Sequence, residues 1–163
     1  GSAWAGSANL DVTTALNAES ILGTGVLLTV AGNFNNQELL LSAAANNTWQ
    51  LDTANETPNT DQVNLYAMVG AYQATPPADI TTTTNLLTGT PTRAGQPQAD
   101  EGVDSNHVYE FATGAGVTYA DVDGMAVAAQ RGLWLKMRTP PYTTTDAQQA
   151  FTVTVTAASG SGL

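Results

Sequence analysis

Residues 63–72 read VNLYAMVGAY. Val63 and Val69 are β-branched, Tyr66 and Tyr72 are aromatic, and the apolar run is nearly continuous, the composition of a strand in the interior of a sheet. Outward from this stretch the period is two wherever it can be measured. Upstream, VLLTV (26–30) follows the turn signal Gly23-Thr24-Gly25, QELLLSA (37–43) is a further strand, and NTWQLD (47–52) lies behind Ala45-Asn46-Asn47. Downstream, HVYEFAT (107–113), VTYADV (117–122), GLWLKMRT (132–139) and AFTVTVTA (150–157) complete a set of short strands separated by turn residues.

Between them, residues 75–104 change character, with Pro76-Pro77, four Thr at 81–84, Pro91, Gly95 and Pro97. This predicts a long loop crossing an end or edge of the fold, with a short strand at Leu86-Leu87. GMAVAAQRG (124–132) is the one stretch that tolerates a helix. No fixed-period repeat exists, which disfavours solenoids and propellers. The expected fold is all-β, a single antiparallel β-sandwich of jelly-roll or Ig-like topology with an extended N-terminal strand. Residues 1–20 read as the extension and 21–163 as the sandwich domain.

The chain has 163 residues, 42% hydrophobic and 11% charged, enough for one well-buried core. Fourteen acidic residues against four basic ones give a net charge of −10, which argues against nucleic acid as a partner. Cysteine is absent, so disulfides and thiolate chemistry are excluded and stability must come from packing. No apolar run is long enough for a transmembrane helix, and without a leader or an initiating Met the chain reads as a mature or trimmed product.

Catalytic signals are weak throughout. His107 is the sole histidine and reads as a surface or strand-edge residue, with no second imidazole for a metal site and no motif that supplies triad partners, and no Ser sits in a nucleophile elbow. Neither an enzyme nor a bound cofactor is expected. Asp100, Glu101 and Asp104 share one loop and Asp121 and Asp123 another. They read as solvated loop acids, with structural Ca²⁺ as the alternative use; neither group completes a calcium loop, and no metal site is assigned.

Three of the four bases, Arg131, Lys136 and Arg138, fall in RGLWLKMR. As a strand this puts Leu133, Leu135 and Met137 on a core face, and Trp134, Lys136 and Arg138 on an outer face suited to an acidic loop of a neighbouring copy, Asp100, Glu101 and Asp104 leading. The alternative for Lys136, which the sequence disfavours, is an intramolecular isopeptide bond to Asn or Asp, chemistry that also needs a nearby Glu or Asp. Thr152, Thr154 and Thr156 form one flat row that β-propensity alone explains.

At the amino terminus, Leu10, Val12, Leu16 and Ala18 alternate with Asn9, Asp11, Asn17 and Glu19, a half-buried strand, behind a Gly/Ser/Ala tail that carries Trp4. Fixing seven tail residues costs on the order of 10 kcal/mol, whereas burying one indole returns only about 5 kcal/mol. Trp4 therefore needs the adjoining strand to order it. ANLDVTTALNA, the closing strand AFTVTVTA and the Thr/Asn/Gly-rich, cysteine-free interior resemble secreted pilin-like β-sandwich filament subunits of the donor-strand type. The resemblance implies an extracellular or cell-surface structural subunit that forms a homopolymer by strand addition, with Trp4, Leu10, Val12 and Leu16 between subunits. The alternatives are a carbohydrate-binding or adhesin module stacking Trp49, Tyr72 and Trp134 on a sugar or cell-surface ligand, and a viral capsid decoration protein.

Overall fold

The computed structural model describes residues 15–21, 25–31, 36–54, 57–80, 85–94, 109, 116–117, 122 and 124–159. These form an all-β sandwich of two sheets. The first contains β1 (Glu19–Ile21), β2 (Val26–Thr29), β4 (Gln50–Leu51), β5 (Gln62–Gly70) and β7 (Gln130–Arg138). The second contains β3 (Gln37–Ala45), β6 (Thr92–Arg93) and β8 (Phe151–Ser159) in the order β6-β3-β8.

The stretch 62–70 occupies the middle of the first sheet. It pairs antiparallel with β7 from Asn64↔Arg138 to Gly70↔Gly132 and parallel with β4 at Gln50↔Gln62 and Leu51↔Val63. Beyond β4, the same edge is completed by Leu86, bridged to Tyr66, and by Tyr109, whose carbonyl accepts from the Val69 amide. On the far side of β7, β1 and β2 lie end to end along one edge, Glu19–Ile21 opposite Lys136–Arg138 and Val26–Thr29 opposite Gln130–Leu133.

Strand periodicity divides these residues between two cores. Val63, Leu65, Ala67 and Val69 of β5, with Leu133 of β7, face Leu39, Leu41 and Ala43 of β3 to make the main core. Their alternates, Tyr66, Met68 and Trp134, face the other way and are covered by Ile80, Leu86 and Val117. The first sheet is thus buried on both faces, which is why β5 is apolar without interruption from Leu65 to Gly70.

The proline-rich region supplies that cover, with Pro77 and Ile80 buried within it. Leu87 donates its amide to Leu65 of the first sheet, while Thr88 and Ala94 bond to Ala43 and Leu39 of the second. One segment therefore closes the flank where β4 and β6 lie. By elimination, β8 shares the opposite flank with β1 and β2.

Residues 124–132 form no helix. Met125 pairs with Gln37, Ala128 takes a φ of 67°, and β7 begins at Gln130. Of 47–52, only Gln50 and Leu51 are strand. The expected strand through Leu16 and Ala18 is a turn where it is described, with Asn17 at a φ of 52°. Residues 1–14, and with them Trp4, Leu10 and Val12, lie outside the described residues.

Candidate functional site

β8 is nine residues long, and among the described residues it pairs with β3 alone, from Gln37↔Ser159 to Ala45↔Phe151. Its outward row, Thr152, Thr154 and Thr156, is exposed. Its inward row, Phe151, Val153 and Val155, packs against the main core yet stays only partly buried. Among the described residues this margin of the core is only half covered. Across the flank, β1 and β2 pair only with β7 among the described residues, and Leu27 is exposed.

At one end of this flank the residues after position 14 are anchored. The Thr139 hydroxyl donates to the Ala15 carbonyl at 2.7 Å and accepts from the Ala18 amide at 3.0 Å. The Asn17 amide donates to the Pro140 carbonyl at 2.9 Å. Leu16, expected between subunits, projects from this turn and is 43% exposed.

The basic strand departs from its expected role. The parity is right, but the face carrying Trp134 and Lys136 is not a solvent face, because the segment around Ile80 and Leu86 covers it. Trp134 is 1% exposed and Lys136 4% exposed, so neither side chain is offered to a neighbour. Lys136 Nζ lies 2.8 Å from Glu19 Oε2 and 2.9 Å from Asp79 Oδ1, and 5.5 Å from the centre of the Tyr66 ring. Arg138 Nη1 reaches Glu19 Oε1 at 3.5 Å, and Arg131 Nη1 donates to the Gln130 carbonyl. Arg93 Nε is 3.0 Å from Glu38 Oε2, a carboxylate buried beside β6. Three of the four cations are thus committed to carboxylates of their own chain.

Burial pulls the Lys136 ammonium down, but hydrogen bonds and charge from Glu19 and Asp79 outweigh it and hold the group above its ordinary value. Burial likewise pushes Asp79 up, and hydrogen bonds from Lys136 and the Ile80 amide overcome that and hold it low.

A second surface feature escaped the sequence reading. Tyr142 is 72% exposed on the loop after Pro140-Pro141. Asp61 clamps this loop, accepting at Oδ1 from the Thr144 amide at 2.8 Å and at Oδ2 from its hydroxyl, while the Asp61 amide donates to the Tyr142 carbonyl. The bonds from Thr144 hold the Asp61 carboxyl below its ordinary value. Trp49, half-buried, donates Nε1 to Thr143 Oγ1 at 2.8 Å alongside.

Asp100, Glu101, Asp104, His107, Asp121 and Asp123 lie outside the described residues. Among the described residues no group of three or more His, Asp or Glu is placed to hold a metal ion, and no helix is long and apolar enough to cross a membrane. No family model, curated protein or solved structure matches the chain.

Proposed function

We propose that this protein is a structural subunit of an extracellular or cell-surface assembly, in which residues 1–14 of one copy lie along β8 of the next. The observation that carries the reading is β8 itself, a nine-residue strand that among the described residues pairs on one side only, over a half-covered apolar row. Long edges of this kind pair with further chain unless something blocks them, and nothing on β8 does: FTVTVTAAS has neither charge nor proline.

Charge favours the amino-terminal segment as occupant. Copies with a net charge of −10 repel one another, so they can meet only through nearly neutral surfaces. GSAWAGSANLDVTT carries a single charge, Asp11, and offers Leu10, Val12 and Trp4 as apolar side chains. Fourteen residues reach at most about 50 Å, and a nine-residue strand spans about 30 Å, so the segment is long enough to leave one molecule and line the edge of another. Because Ala15, Asn17 and Ala18 are tied to Thr139 and Pro140, its point of departure is fixed.

Removing residues 1–14 tests this. The full chain should form concentration-dependent polymers by light scattering and electron microscopy, the truncated chain should remain monomeric, and a peptide of residues 1–14 should bind the truncated chain. A truncated chain that polymerises normally, or a full chain that stays monomeric at every concentration, would overturn the proposal.

Tyr142 favours a second reading, carbohydrate binding. Its backbone is fixed by Asp61, and Thr143, Thr144 and Gln149 nearby are uncharged, the combination that lets an aromatic ring stack on a sugar at little entropic cost. Retention on immobilised polysaccharides that disappears in Tyr142→Ala is the measurement that supports it; no retention on any of them rejects it.

A further inference from the structure

We propose that Lys136 and Asp79 become joined by an intramolecular isopeptide bond, with Glu19 as the proton carrier. The three groups come from separate parts of the chain, β7, the segment covering the first sheet and β1, and meet at one nitrogen. Nζ lies 2.9 Å from Asp79 Oδ1 and 2.8 Å from Glu19 Oε2. Lys136 is 4% exposed and sits on the face of the sheet that also carries Tyr66, Met68 and Trp134, with Tyr66 directly opposite it in register. The amine is buried, whereas the side chains of Asp79 and Glu19 are 53% and 47% exposed, and an amine held this close to a carboxyl group is positioned as a nucleophile.

The two acids are not equivalent. Asp79 Oδ1 accepts the Ile80 amide at 2.7 Å, a fixed donor where negative charge would develop during attack on Cγ. Glu19 receives Arg138 on its other oxygen, at 3.5 Å, so one of its oxygens faces a fixed cation while the other faces Nζ. Asp79 is therefore the electrophile and Glu19 the base.

The step balances without any co-reactant. Glu19 takes one proton from the Lys136 ammonium and delivers it to Asp79 Oδ2. The free amine attacks Cγ, forming the C–N bond and placing negative charge on Oδ1 beside the Ile80 amide. Glu19 then moves a second proton from Nζ to Oδ2, the Cγ–Oδ2 bond breaks, and one water leaves. The product is a neutral amide, and Glu19 is again a carboxylate. Because the resting ammonium is held charged by its two partners, linkage is a slow, single event after folding rather than a turnover reaction.

The bond would tie the segment that covers the outer core to the central strand of the sheet. In a chain without cysteine, it supplies the covalent staple that a disulfide cannot. A subunit that transmits load through its strands gains most from such a staple, although the chemistry stands independently of assembly.

Mass spectrometry of the full chain decides the matter. Denatured protein should weigh one water less than its sequence. Trypsin should fail to cut after Lys136 and should release residues 132–138 attached to the peptide that ends at Arg93. Lys136→Arg and Glu19→Gln should both show the full sequence mass, with wild-type circular dichroism confirming that they fold. If either variant fails to fold, Asp79→Ala, which keeps the Lys136–Glu19 pair, should fold and show full mass. Folded wild-type protein at full mass overturns the proposal, as does a water loss that maps to another pair of residues. Linkage that persists in Glu19→Gln overturns the role given to Glu19.

Discussion

Trp134→Ala should destabilise the protein by about 3–5 kcal/mol, near the upper end for a single core substitution. The indole is 1% exposed and is the largest side chain of the outer core, opposite Met68 in register and clustered with Tyr66, Ile80, Leu86 and Val117. Gly25 shows how closely the chain wraps it, since a Cβ there would lie 2.8 Å from the ring. Trp134→Phe should cost well under half as much. It keeps an aromatic ring in the enclosure and removes Nε1, which is buried with no hydrogen-bond partner among the described residues, a defect worth about 1–3 kcal/mol. Denaturant midpoints for both variants, at unchanged slope, measure the pair. A cost below about 1 kcal/mol for the alanine variant would mean that the outer face of the sheet is not a core.

That outer core also explains where sequence reading stopped. The alternation in GLWLKMRT correctly separates Leu133, Leu135 and Met137 from Trp134, Lys136 and Arg138, because strand parity is a local property. What parity cannot say is whether the second face meets water or another layer. The layer here comes from residues some fifty positions upstream, in a segment whose prolines and threonines read only as loop. A clue was nevertheless present. VNLYAMVGAY is apolar on both faces, and a strand of that kind has no solvent side, so its partner in the sheet could not have one either. The same non-locality hid the ion pairs. Lys136 looked like a surface anchor because the carboxylates that neutralise it, Glu19 and Asp79, are remote in sequence and sit in unremarkable contexts.

The helix-tolerant stretch 124–132 failed as a signal for a different reason. Its alanines permit a helix, but Met125 and Gln130 are taken up by strand pairing, and tertiary pairing overrides a weak local preference. At the other end of the chain, the alternation from Leu10 to Ala18 continues past the point where the backbone turns at Asn17. Apolar spacing records which residues would line one face if the chain were extended. It does not record where a left-handed residue ends the extension. For the candidate site, the Thr/Val alternation of β8 was legible, whereas its one-sided pairing among the described residues was not, since pairing on one side or two depends on the whole topology. Tyr142 was invisible as a candidate because an isolated aromatic among threonines gains meaning only from the Asp61 clamp beneath it.

Val155→Lys should abolish assembly while leaving the subunit folded. Val155 points inward from β8 and is only partly buried, so a lysine there can keep its aliphatic stem against the core and carry its ammonium out through the half-covered margin into water. The cost to the isolated subunit should be about 1–2 kcal/mol. An added strand closes that exit and leaves the charge buried without a partner, a penalty of several kcal/mol that no new ladder of hydrogen bonds offsets. At about 1.4 kcal/mol per factor of ten, the concentration needed for assembly should rise by about 100-fold or more. Inward-pointing charges on edge strands act in the same way in natural sheets, where they prevent edge-to-edge pairing. Thr154→Lys is the matched control. It changes the net charge identically, but its side chain leaves from the exposed row and touches neither the backbone edge nor the apolar margin. Sedimentation of the two variants beside the wild type separates the readings: Thr154→Lys should assemble near wild-type concentrations. Loss of assembly in both variants would trace the effect to charge, and assembly of Val155→Lys at wild-type concentrations would move the junction away from β8 altogether.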